Sequence, residues 1–254
     1  MSRPVALVTG VSRRIGIGAA VATRLGRAGF DLFLHAWSPA DAEQSWGADP
    51  DAGAALPGEI AGDSGARVEH AAADLADPAA PAALFDAAVA AFGHVDVLVA
   101  NHARSSDQDL EHLTAAEVDL TYAVNTRATL LLVQEFARRH DDSRPGRVVL
   151  MTSGQHRGPM PGELTYIASK GALHQVTASL AAHLAPRRIT VNAVDPGATD
   201  TGYADAATRA WVLEQEPMGR WGEPDDAARL ITWLAGPDSG WVTGQVIVSS
   251  GGGP

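Results

Sequence analysis

The 254-residue sequence predicts one α/β domain built on a doubly wound parallel sheet with helices on both faces. Three observations carry that expectation. Short apolar runs alternate with longer helix-like stretches from end to end. The short runs are continuously apolar, as strands buried on both faces must be. No internal repeat or interior linker divides residues 1–254.

The first strand is Val-Ala-Leu-Val-Thr at residues 5–9, followed by a glycine-rich turn and a helical pattern to about residue 28. Residues 31–36 and 67–72 supply the second and third strands, and a helix over 78–92 leads to the strand at 95–100. Residues 115–140 read as one long helix before the strand at 146–152. A helix over about 165–184 leads to the strand at 189–194; residues 225–234 are helical, and 245–249 make the last strand. Two segments break this rhythm. Residues 38–63, rich in Ala, Gly, Asp and Pro, carry Trp46, and residues 198–222 carry Tyr203, Trp211 and Trp221. Both are expected to be surface excursions, the second on the side where such folds bind ligands.

Composition removes several classes of function. With 19 basic and 30 acidic residues the formal charge is −11, which repels a phosphate backbone, so no nucleic-acid partner is expected. There is no cysteine, hence no disulfide, thiolate metal site or cysteine nucleophile. The nine histidines include no pair spaced beside a carboxylate for a metal, and none is expected. No apolar run reaches the roughly 18 residues that span a bilayer. Residues 1–9 have no signal-peptide anatomy, so a cytoplasmic protein without a membrane partner is expected.

The turn Thr9-Gly-Val-Ser-Arg-Arg-Ile-Gly-Ile-Gly18 joins a first strand to a helix. Its glycines permit a tight turn, and the helix aims free N–H groups and its positive dipole end at a phosphate. That context makes it a dinucleotide-binding, Rossmann-type turn, with Gly10, Ser12, Arg13, Arg14, Gly16, Ile17 and Gly18 as expected cofactor contacts. An acid ending the second strand would grip a ribose 2′-hydroxyl. Here the sequence is His35-Ala-Trp37-Ser38, with no Asp or Glu until Asp41. Arg13 or Arg14 could instead pair with a 2′-phosphate. NADP(H) is therefore expected over NAD(H), with Trp37 and Ser38 beside its ribose.

Tyr166-Ile-Ala-Ser-Lys170 sets a phenol and an ammonium four residues apart, on one face of a helix. A neighbouring ammonium stabilises a phenolate, which suits tyrosine to exchange protons with a carbonyl or alcohol oxygen. Ser153 ends the preceding strand, thirteen residues upstream.

At this point the whole chain resembles the short-chain dehydrogenase/reductase family. The resemblance implies Tyr166 as general acid/base, Lys170 lowering its pKa and holding the nicotinamide ribose, and Ser153 holding the substrate oxygen. Asn125, in Tyr122-Ala-Val-Asn-Thr126, matches the family's fourth catalytic member, which anchors a water and proton relay beside the lysine. Asp74-Leu75 resembles the adenine contact, and Asn101-His-Ala103-Arg104 stands where the family has Asn-Asn-Ala-Gly. Asn192 with Pro196-Gly197-Ala-Thr199-Asp-Thr201 resembles the segment that holds the nicotinamide amide.

Within the family the chain is most similar to 3-oxoacyl-[acyl-carrier-protein] reductases. The implied reaction is hydride exchange between NADP(H) and a small carbonyl or secondary alcohol, including an acyl thioester. A homo-oligomer, tetramer or dimer, is implied as well. Two departures stand out. Five residues separate Gly10 from Gly16, a longer turn that resembles enoyl-thioester reductases, although their tyrosine and lysine stand seven apart rather than four. His102 and Arg104 replace Asn and Gly. Enoyl reduction and a non-catalytic NADP(H) sensor are the alternatives. Gln155, His156, Tyr203 and Trp211 are the candidate substrate contacts, with Met160 and Trp211 as candidate apolar lining.

Overall fold

In the computed structural model, which describes residues 3–253, the chain opens with β1 (Val5–Thr9), α1 (Ile17–Arg27), β2 (Asp31–Ala36), α2 (Ser38–Ala42) and α3 (Ala52–Ser64). Residues 1, 2 and 254 of the expected span lie outside the described residues. Then follow β3 (Val68–Ala72), α4 (Ala80–Phe92), β4 (Val97–Ala100), α5 (Ala115–Thr121) and α6 (Ala128–Arg139). The chain continues through β5 (Gly146–Met151), α7 (Leu164–Leu184), β6 (Ile189–Asp195), α8 (Ala206–Gln215), α9 (Pro224–Ala235) and β7 (Val246–Val248).

One sheet takes all seven strands in the order β3-β2-β1-β4-β5-β6-β7, and every pairing is parallel. Parallel neighbours require crossovers, and the helices provide them on both faces. On one face Val21 and Leu25 of α1, Leu56 and Ile60 of α3 and Ile231 and Leu234 of α9 pack into one buried cluster. On the other, Leu84 and Phe85 of α4, Leu132 and Phe136 of α6 and Leu184 of α7 form the second. Among the described residues no helix is long and apolar enough to cross a membrane.

Two expectations are corrected. Residues 38–63 are not wholly an excursion: α3 is the β2–β3 crossover helix, with Leu56 and Ile60 buried against α1. Its Ala/Gly-rich sequence and internal Pro57 hide a helical signal that packing supplies. The stretch 115–140 is not one α-helix either. Tyr122–Arg127 is a π-helical turn between α5 and α6, a local widening that is frequent at functional sites.

Candidate active site

Between β1 and β4 the strand order reverses, so the loops leaving their carboxyl ends diverge and open a crevice. The backbone turns tightly there. Gly10 has φ +74°, and a Cβ on it would lie 2.8 Å from His102 Cα. A Cβ on Gly18 would overlap the Gly10 carbonyl oxygen. The Asn101 amide holds this turn by donating to the Thr9 and Gly10 carbonyls at 3.0 and 3.1 Å.

The crevice is a trench made of two joined cavities. The first, about 330 Å³, is lined by Gly10, Ser12, Arg13, Gly16, Ile17, Gly18, Trp37, Asp74 and Leu75. The second, about 360 Å³, is lined by Ser153, Tyr166, Lys170, Pro196, Gly197, Thr199 and Thr201. Ile17, Asn101, Ala103 and Thr201 line both. A dinucleotide fits this shape, because one end is a glycine-lined turn at a helix N-terminus and the other a proton-bearing cluster. Arg13 faces the trench. Arg14 does not: its guanidinium is held by Asp49 at 2.8 Å and by Glu59. Ser38 begins α2 outside the lining.

Ser153 follows β5 directly, and α7 carries Tyr166 and Lys170 past it. The Tyr166 phenol and the Ser153 hydroxyl face the same cavity. Burial pushes Tyr166 up to about 12, the neighbouring Ser153 hydroxyl opposing the rise. Burial also pushes Lys170 down to about 8. Its Nζ donates to the Met151 carbonyl at 2.9 Å and lies 5.7 Å from the centre of the Tyr166 ring.

Asn125 occupies the π turn, fully buried. Its Nδ2 donates to Ser169 Oγ at 2.9 Å and to the Arg104 carbonyl at 3.0 Å, while Oδ1 accepts from Arg104 N at 2.7 Å. Ser169 Oγ in turn donates to the Tyr166 carbonyl at 2.7 Å. The amide thus clamps α7 between the tyrosine and the lysine. The Arg104 side chain pairs with Glu117 at 2.9 Å and Glu43 at 3.3 Å, while its backbone makes the clamp.

His102 has become structural. Its Nε2 lies 3.0 Å from the Val124 carbonyl, which can only accept, so Nε2 bears the proton. Nδ1 then accepts from Thr9 Oγ1 at 2.7 Å. Burial, with His35 and Lys170 nearby, pushes the imidazole down to about 3 and keeps it neutral.

The four candidate substrate contacts separate. Tyr203 lines the catalytic cavity. Gln155 turns back to donate to Thr152 Oγ1 at 3.2 Å, and His156 packs on His174 with ring centres 4.7 Å apart. Trp211, on α8, is 62% exposed and outside that lining, whereas Met160 is within it.

Two residues not proposed as site residues from the sequence, Trp46 and Glu163, also meet here. Trp46 reaches over from the β2–α3 segment to stand 6.3 Å from the Tyr203 ring, and Glu163 joins the wall. Arg157 leaves the loop after Ser153, bonds the buried Asp195 at the end of β6 at 3.0 Å, and holds the C-terminal segment through Ser250 and Gly253. A basic residue beside the serine and an acid before Pro196-Gly197 were visible separately, but their pairing requires the fold.

A family model described as enoyl-(acyl carrier protein) reductase matches residues 10–253. An uncharacterized oxidoreductase of Bacillus subtilis is 40% identical over 98% of this chain and 96% of its own. Among solved structures, a short-chain dehydrogenase/reductase of Serratia marcescens superposes with TM-score 0.86 at 33% identity, covering 96% of this chain and 95% of that one. The angucycline C-6 ketoreductase LanV, with bound NADP, gives 0.87 at 34% identity over 98% and 95%. A 3-oxoacyl-[acyl-carrier protein] reductase of Brucella melitensis gives 0.86 at 32% over 99% and 97%.

Proposed function

The chain belongs to the short-chain dehydrogenase/reductase family, an NAD(P)-dependent oxidoreductase acting on carbonyl and alcohol groups, and we propose that it reduces a ketone with NADPH, using Tyr166 as the acid. One observation carries the reading: Ser153, Tyr166 and the buried Lys170 line one cavity at the carboxyl edge of the sheet. The Ser153 hydroxyl and the Tyr166 phenol together grip the substrate oxygen. As negative charge develops on that oxygen, the phenol releases its proton to it. Lys170, near the balance of its two protonation states, stabilises the phenolate left behind. Asn125, through Ser169, keeps the tyrosine and lysine in register. The bound nicotinamide supplies the hydride.

NADP(H) is the proposed cofactor because no acid ends β2, Arg13 lines the trench, and the similar ketoreductase LanV is described with bound NADP. Rates with NADPH against NADH test that choice. Exposed Tyr122 and Leu130 on one face and Trp241 on another support association of copies, which light scattering would size. A cytoplasmic place agrees with the absence of a membrane-crossing helix among the described residues.

Enoyl reduction is the second reading, favoured by the family model's description and the longer glycine turn. The four-residue Tyr166–Lys170 spacing and the ketone-reducing names of the solved relatives favour the first. NADPH oxidation with an acetoacetyl thioester against a crotonyl thioester separates them. Tyr166→Phe should lower turnover by about 10²–10⁴-fold and leave NADPH binding, followed by fluorescence titration, nearly intact. Retention of most activity removes Tyr166 as the acid.

A further inference from the structure

Glu163 stands at the N-cap of α7, three residues before Tyr166, and lines the catalytic cavity. A side chain in that position ordinarily accepts a backbone N–H of the first turn, and Glu163 makes no such bond. Only its backbone is used, N donating to the Met160 carbonyl at 3.1 Å and the carbonyl accepting from Ile167 N at 2.9 Å. No described side chain hydrogen-bonds or pairs with the carboxylate. Partial burial, with Asp107 nearby, raises its proton affinity, and its charge is felt by both Tyr166 and Tyr203. A half-buried carboxylate without a donor is an acceptor with capacity to spare.

The rest of that wall has a complementary character. Trp46 and Tyr203 meet edge to face, 6.3 Å between centres at 75°, and Met160 lines the same space. The Trp46 indole Nε1 is buried without a hydrogen-bond partner. Aromatic and thioether groups favour a flat, apolar body, while the carboxylate offers an unpaired acceptor.

We propose that Trp46 and Glu163 select the substrate, and that it is a neutral ketone on a flat, ring-bearing body whose hydroxyl group donates to the Glu163 carboxylate. This rests on ketone reduction at Tyr166. A ketone bearing a carboxylate is rejected by the Glu163 charge, and a small thioester gains nothing from the aromatic wall.

Steady-state kcat/KM with NADPH tests the assignment, using 1-tetralone, a hydroxylated 1-tetralone, a carboxylated 1-tetralone and an acetoacetyl thioester. The wild type should prefer the hydroxylated ketone over the parent by about tenfold or more, and the carboxylated one should be poorest. Glu163→Leu should erase the hydroxyl preference, losing at least about fivefold more kcat/KM on the hydroxylated ketone than on the parent. Glu163→Gln should raise the rate on the carboxylated ketone, a gain that a damaged site cannot produce. Trp46→Ala should raise KM for the ring ketones by a clearly larger factor than for the thioester, and Trp46→Phe should restore it. Equal losses on all substrates in the Glu163 variants, or reduction of the thioester but no ring ketone, overturns the proposal. Failure to reduce any carbonyl compound overturns ketone reduction itself.

Discussion

Replacing Lys170 with Met should stabilise the protein while removing its chemistry. The side chain is 2% exposed, and burial takes its pKa from 10.5 to about 8. At about 1.4 kcal/mol per pH unit, that difference puts about 3 kcal/mol against the charged form at neutral pH. Met is of similar length and carries no charge, but it leaves the Met151 carbonyl without the 2.9 Å bond from Nζ, at about 1 kcal/mol. The balance is a gain of about 2 kcal/mol, or a rise in Tm of about 4–8 °C for a chain of this size. The gain depends on pH. The unfolded lysine titrates near 10.5 and the folded one near 8, so between those values the unfolded chain binds more protons and wild-type stability rises with pH. The advantage of Lys170→Met is therefore full below pH 8 and shrinks as the pH climbs to 10.5. Urea unfolding of cofactor-free protein at pH 7, 9 and 10, at one protomer concentration, measures both effects. A variant less stable than wild type at pH 7, or a gap that ignores pH, refutes the reasoning.

Other sites make separate predictions. Arg157→Met leaves Asp195 buried and unpaired, so it should cost about 3–5 kcal/mol in chemical denaturation and lower kcat by loosening the loop behind Ser153. His102 is neutral in the fold with a pKa of about 3, whereas the unfolded imidazole takes a proton below about 6.5. This group alone should therefore take away about 1.4 kcal/mol of stability per pH unit as the pH falls between those values, and urea unfolding of His102→Asn should show a pH dependence shallower by that amount. Gly18→Ala forces a methyl onto the Gly10 carbonyl, so it should destabilise by about 1–3 kcal/mol and abolish NADPH binding in a fluorescence titration.

The sheet was legible because its strands are continuous apolar runs, and the trench because Gly10 and Gly18 bracket a strand-to-helix turn. Tyr166 and Lys170 were legible because a four-residue spacing on a helix is a local fact. What escaped needs contacts across the chain. α3 was hidden since its helical character comes from Leu56 and Ile60 packing on α1, against an internal proline. The π turn is invisible in composition, because Tyr122–Arg127 continues the pattern of the helices beside it. Arg13 and Arg14 look equivalent in sequence, yet Asp49 and Glu59 claim only the second. Trp46 and Tyr203 lie in the two segments that broke the rhythm, and only the folded chain brings those segments together over the catalytic cavity.

The same burial acts on both members of the reactive pair, and it pushes each toward its uncharged form. Tyr166 rises to about 12 and Lys170 falls to about 8, so near neutral pH the phenol holds its proton and the lysine loses part of its preference for one. A protonated phenol is the state that gives a proton to a substrate oxygen; alcohol oxidation needs that proton removed first. Burial thus favours the proton-holding form of the phenol, the form that the proposed ketone reduction uses. Asn125 and Ser169 keep that setting by fixing the backbone between the two residues, so the bias follows from how deeply α7 is buried beside β5.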